Sequence, residues 1–72
     1  MLNSTKIGNF IMAKRKALGL TQQQLADQLN VSFQAVSKWE NGTSDPSTSN
    51  LLALAKLYNV SPRQLLEQIK SI

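Results

Sequence analysis

Seventy-two residues with eight Lys and Arg, four Asp and Glu and a formal net charge of +4 predict one small domain, since a chain of about 60 residues buries only about 60% of the surface its unfolded form exposes. With no cysteine and no histidine, disulfide staples, structural zinc and the usual nucleophilic triads are excluded, so the core has to come from apolar packing without metal or cofactor. The opening MLNSTKIGNF lacks the basic segment and apolar run of a signal peptide, and no stretch approaches the roughly 20 apolar residues of a membrane span, so a cytoplasmic chain with no membrane partner is expected.

Start and stop signals predict five helices and an all-α fold. The first runs from about Ser4 or Thr5 to Leu18, with Ile7, Phe10, Ile11 and Leu18 on one stripe and Gly19 as a left-handed C-terminal residue. Thr21 caps the second, with Gln24 completing a capping box; Leu25, Ala26 and Leu29 form its buried side, and Asn30 ends it in the left-handed region. Ser32 caps the third, which stops at Asn41-Gly42 before a polar loop from Thr43 to Thr48 containing Pro46. Ser47 caps the fourth, whose Leu51, Leu52, Leu54, Ala55, Leu57 and Tyr58 are apolar around much of the circumference, which predicts a central core element ended by Asn59. Ser61, Pro62 and Gln64 supply cap, first-turn proline and capping box for a fifth helix through Leu65, Leu66 and Ile69.

The second and third helices meet across Asn30-Val31-Ser32, a connection that leaves room only for a tight turn, and two helices crossing so closely make a helix-turn-helix over about residues 21–42. Such a unit projects its second helix as a rod that fits the major groove of duplex DNA. On a wheel at about 100° per residue, Ala35, Val36, Trp39 and Glu40 fall on one half of the third helix and Phe33, Gln34, Ser37, Lys38 and Asn41 on the other. Trp39 belongs to the core. Glu40, a carboxylate on the packed side, calls for a partner, and Arg15 near the end of the first helix is the candidate.

The outer half has chemistry suited to base edges. Gln34 can pair with adenine N6 and N7, Lys38 can donate to guanine O6 and N7, and Phe33 can lie against a thymine methyl or fold back onto Gln22 or Val31. Ser37 is a candidate for either a base or a phosphate. Phosphates are assigned to Gln22 and Ser32, to Asn41, and to backbone amides or hydroxyls at Thr43 and Ser44. Polar residues on an exposed helix face are also the default of any soluble protein, so the face alone does not decide between recognition and solvation. The basic excess, with Lys6, Lys14, Arg15 and Lys16 in the first sixteen residues, suits a polyanion and equally a solvated basic surface.

The string LGLTQQQLADQLNVSFQAVSKWENG, followed by Pro46, LLALAKLYNVS and LL, resembles the phage repressor and Cro type of helix-turn-helix, the XRE-like family. The resemblance covers about residues 7–66. It implies a compact five-helix bundle of the lambda repressor-like kind that binds operator double-stranded DNA, usually as a homodimer on a two-fold symmetric site, and regulates transcription, commonly by repression. Carried over residue by residue, it gives Gln22 a phosphate contact, Phe33, Gln34 and Lys38 the base-reading positions, Asn41 a backbone contact, and Arg15 with Glu40 an ion pair between the first and third helices; Ser37 carries over less directly. Asn30 stands where the family usually has glycine, and Phe33 replaces the usual polar or basic residue, so relatives do not predict the operator.

One such module buries too little surface for operator-grade affinity, which calls for a dimer. Leu66, Ile69 and Ile72 offer more apolar side chain than a small core needs, and ordinary core packing is the competing reading for them. The alternative function is a protein-interaction module or the antitoxin of a toxin–antitoxin pair, with a protein partner on the first or fifth helix. An enzyme is not expected: Asp27, Glu40, Asp45 and Glu67 are the acidic residues, and no two are spaced to share a site.

Overall fold

The computed structural model describes residues 4–69, with side chains described for residues 4–67. Its helices are α1 (Ser4–Ala17), α2 (Gln22–Leu29), α3 (Phe33–Asn41), α4 (Thr48–Leu57) and α5 (Pro62–Ile69). Their boundaries follow from local side-chain chemistry. Thr21 Oγ1 accepts the Gln24 N–H at 3.0 Å while Gln24 Oε1 accepts the Thr21 N–H at 2.9 Å, so two of the orphan donors at the start of α2 satisfy each other's caps. The same reciprocal pair joins Ser61 and Gln64 at the start of α5, at 3.1 and 2.9 Å. Ser32 and Ser47 cap α3 and α4 by accepting from the Ala35 and Asn50 N–H groups, each at 3.2 Å. Gly19, Asn30, Gly42 and Asn59 take positive φ of 71°, 58°, 74° and 57°, so the asparagine at position 30 makes the left-handed turn for which glycine is the usual residue.

The core is assembled from one stripe of each helix. Ile7 and Ile11 of α1, Leu25 and Ala26 of α2, Val36 and Trp39 of α3, and Leu54 and Ala55 of α4 are each no more than 4% exposed, with Tyr58 and Leu65 closing the far side. A fully buried Ile or Leu contributes about 1.5–3 kcal/mol relative to exposure, so a handful of such residues carries a chain of this size. Tyr58 sits among them because its hydroxyl donates to the Ile11 carbonyl at 3.0 Å and its ring meets Phe10 edge-on at 5.9 Å.

Two expectations are corrected. Leu18 is 52% exposed: α1 ends at Ala17, and the left-handed Gly19 turns the chain so that Leu20 packs against the core while Leu18 points away. The expected centrality of α4 also fails. The most extensive helix pairs are α1 with α3 and α2 with α3, and α4 buries only the stripe Leu51, Leu54 and Ala55, with Tyr58 just past its end, leaving Leu52 51% exposed and Leu57 half-buried. An apolar surface around much of the circumference does not make a helix central, because a helix on the flank of a bundle buries one face.

The intimacy of α1 and α3 rests on Gly8. It is buried inside α1, and a Cβ placed there would stand 2.5 Å from the Trp39 carbonyl oxygen and 2.9 Å from that of Glu40. A glycine in mid-helix costs roughly 1 kcal/mol relative to alanine, a cost borne here so that two backbones can approach. The approach brings Arg15, two turns further along α1, level with the carboxylate of Glu40.

Candidate nucleic-acid interface

The turn between α2 and α3 is fixed by backbone bonds. Asn30 N–H reaches the Asp27 carbonyl at 3.3 Å and Val31 N–H the Ala26 carbonyl at 3.0 Å, a helix-ending pattern that the left-handed Asn30 allows. Ser32 then starts α3 at once. With Val36 at 0% and Trp39 at 4% exposure on one side, the opposite side of α3 is presented outward, and it carries the residues expected there: Gln34, Lys38 and Asn41 are exposed, Phe33 is 42% exposed, and Ser37 is half-buried at the edge. A groove of about 620 Å³ between α1 and α5, lined by residues such as Phe10, Lys14 and Val60, includes no residue of α2 or α3.

Behind the face lies the ion pair. Arg15 Nε donates to Glu40 Oε2 at 2.7 Å and Nη2 to Oε1 at 3.0 Å, a two-point contact, while Nη1 donates to the Leu20 carbonyl at 2.9 Å. The side chains are 11% and 3% exposed. The hydrogen bonds it donates to Glu40 hold the Arg15 guanidinium above its ordinary pKa, against the opposing effect of burial and with the carboxylate's charge adding to the rise. Glu40 Oε1 accepts a further bond, from Gln22 Nε2 at 3.0 Å. One carboxylate therefore links α1, α2 and α3, and among the described residues no buried side-chain nitrogen or oxygen is left without a hydrogen-bond partner.

The residues assigned to phosphates are arranged unequally. Gln22 is half-buried and tied to Glu40, with one amide N–H still to donate. Ser32 is exposed; its oxygen accepts the capping bond, and its hydroxyl proton is available. Thr43 and Ser44 are exposed, yet both backbone N–H groups point at the Lys38 carbonyl, at 2.9 and 3.4 Å. Their hydroxyls rather than their amides are what they can offer. Of the residues expected to pair two copies, Leu66 is 46% exposed, whereas Ile72 and the side chain of Ile69 lie outside the described residues. Sequence reasoning passed over Gly8 and the Gln22–Glu40 bond. The one available signal was a glycine in the middle of an otherwise helical segment, which is out of place unless something approaches it.

The helix-turn-helix family model HTH_3 matches residues 11–65. Over 60 residues the chain is 45% identical to the HTH-type transcriptional regulator DicA of Escherichia coli strain K12, covering 83% of this chain and 44% of that protein. It is 39% identical over 66 residues to repressor protein C2 of Salmonella phage P22, covering 92% of this chain and 31% of that protein. It is 44% identical over 52 residues to the HTH-type transcriptional activator BcrR of Enterococcus faecalis, covering 72% of this chain and 26% of that protein. The chain thus spans less than half the length of each of these relatives. The crystal structure of the P22 c2 repressor in complex with a synthetic operator superposes with a TM-score of 0.77 at 40% identity, covering 86% of this chain and 94% of that one. Fold, turn geometry and sequence agree, and the chain belongs to the HTH_3 family of helix-turn-helix domains.

Proposed function

We propose that the chain is a sequence-specific, DNA-binding transcriptional regulator that reads the major groove with α3 as a dimer on an inverted-repeat operator. The observation that carries this reading is the outward face of α3: Phe33, Gln34 and Lys38 are exposed on a helix whose other side is locked by Val36, Trp39 and the Arg15–Glu40 pair. A rigid rod bearing one amide, one ammonium and one aromatic ring suits direct readout, in which each good contact is worth about 1–3 kcal/mol of discrimination. The likeness to a repressor solved on its operator supports the same role. Gln22, Ser32, Asn41 and the hydroxyls of Thr43 and Ser44 hold phosphates and set register, Ser37 contacts a base or a phosphate at the edge, and Phe33 meets a thymine methyl.

In the dimer two copies of α3 enter successive major grooves about 34–36 Å apart. The proposed contact between copies centres on Leu66, which lines an apolar recess of about 170 Å³ between α4 and α5 together with the exposed Leu52. Regulation acts by occupancy, and repression is the proposed direction, as the name of the phage P22 relative states for that protein; a promoter fusion distinguishes it from activation, the activity named for BcrR. The test is selection from a random duplex pool at about 150 mM salt, beside a Gln34→Ala, Lys38→Ala variant. Paired inverted half-sites enriched by the native chain and blunted in the variant are expected. No enrichment, or equal enrichment by both proteins, would move the function to a protein partner.

A further inference from the structure

We propose that Glu40 is a positioning residue of the DNA site: its carboxylate, held by Arg15, fixes the Gln22 side chain so that its remaining N–H is aimed at a backbone phosphate. The inference rests on the DNA-binding reading above and adds a functional role to an ion pair otherwise explained by packing. Glu40 has no need of Gln22 for its own satisfaction. Its Oε2 accepts from Arg15 Nε at 2.7 Å and its Oε1 from Nη2 at 3.0 Å, and both oxygens are therefore partnered inside the bundle. What the additional bond at 3.0 Å from Gln22 Nε2 does is immobilise a long side chain, whose rotamer freedom would otherwise be lost only when DNA binds.

Gln22 is the first residue of α2, so its backbone N–H has no acceptor within the helix and lies at the positive end of the helix dipole. The side-chain amide keeps a second N–H after bonding Glu40. Two donors of one residue, one on the backbone and one on a side chain already held, are the equipment for a single phosphate oxygen. Because Glu40 belongs to α3 and Gln22 to α2, the same carboxylate sets where the phosphate is gripped relative to the helix that reads bases.

A double-mutant cycle on the selected operator tests this. Gln22→Leu in the native chain is expected to weaken binding roughly tenfold, alike on all sequences, and to leave the salt slope unchanged, because a neutral amide displaces no counterion. In an Arg15→Met, Glu40→Leu background, chosen to keep the fold by replacing both charges, the same change is expected to cost less than twofold. An equal cost in both backgrounds overturns the proposal. Should that background fail to fold, side-chain amide relaxation in the free native chain decides: Gln22 is expected to be ordered, with an order parameter near 0.8, and the exposed Gln28 below about 0.6. Equal mobility overturns the positioning role. A native chain that binds no duplex overturns the DNA reading instead, and the relaxation measurement still reports whether Glu40 holds Gln22.

Discussion

Gly8→Ala is the substitution on which two simple rules disagree in sign. Judged by helix propensity, alanine in the middle of α1 stabilises by about 1 kcal/mol. Judged by the packing of α1 on α3, the new methyl would stand 2.5 Å from the Trp39 carbonyl oxygen, 2.9 Å from that of Glu40 and 3.2 Å from its carbonyl carbon. Ordinary contact begins near 3.4 Å, so the helices would have to part by up to ~0.9 Å. All three atoms are backbone, so no side chain can rotate to relieve the clash. Separation would also stretch the 2.7 Å Arg15–Glu40 contact and loosen Ile7 and Ile11 against Trp39. Overpacking costs about 1–3 kcal/mol, and the upper end applies where the obstacle is backbone. Subtracting the propensity gain leaves a net loss of about 2 kcal/mol. For a domain of this size each kcal/mol shifts Tm by about 4–8 °C, so a drop of roughly 8–16 °C is expected. Thermal and urea unfolding followed by circular dichroism measure it. A variant as stable as the native chain, or more stable, would refute the close approach of α1 and α3.

Four further outcomes follow from named contacts. Arg15→Met or Glu40→Leu alone leaves a buried charge without its partner and is expected to lose about 3 kcal/mol or more, whereas the double change stays near native stability; urea unfolding of the three variants checks the pattern. Asn30, at φ 58°, should accept Gly within a few tenths of a kcal/mol and lose about 1–2 kcal/mol as Ala, because the left-handed region is costly for residues bearing a Cβ that makes no local hydrogen bond. Burial first, then the charge of Glu40, pushes the Tyr58 phenol above its ordinary pKa, with Arg15 opposing. A raised folded pKa means that the stability linked to the neutral phenol is complete below about pH 10 and declines above it, by at most about 1.4 kcal/mol per pH unit; the advantage of the native chain over Tyr58→Phe should therefore shrink as pH rises past 10 in unfolding measurements. Leu66→Glu, at a position 46% exposed, should fold and lose dimerisation in sedimentation, and a folded Leu66→Glu dimer would remove Leu66 from the contact between copies.

Much of the fold could be read from residues alone because the signals were local. A capping box spans three residues, so Thr21 with Gln24 and Ser61 with Gln64 announced their helices without any tertiary knowledge. Left-handed turns at Gly19 and Asn30 follow from the steric tolerance of glycine and asparagine. The two faces of α3 followed from periodicity, and that argument also reached the ion pair: a carboxylate on a packed face needs a cation, and few were near. Failures came where burial depends on neighbours. Leu18 and Leu52 are as apolar as Leu25 and Leu54, and only the path of the chain after α1 and the flank position of α4 leave them exposed.

The Gln22–Glu40 bond marks the limit of such reading. Periodicity assigns Glu40 to the packed half of α3 and the capping box assigns Gln22 to the first turn of α2, but neither rule relates the two positions. Their meeting depends on how closely α3 lies against α1, because that distance sets where the Arg15 guanidinium holds the carboxylate. Gly8 controls the distance through an absent side chain, which leaves no mark in a pattern of apolar and polar residues. The Gly8→Ala variant should therefore disturb more than stability. If the helices part, Glu40 moves with α3 while the caps of α2 remain local and intact, and the 3.0 Å bond to Gln22 should weaken even in molecules that stay folded. Side-chain amide relaxation of Gln22 in folded Gly8→Ala would then show greater mobility than in the native chain. An unchanged Gln22 amide would mean that α2 and α3 hold this bond between themselves, with α1 contributing only stability.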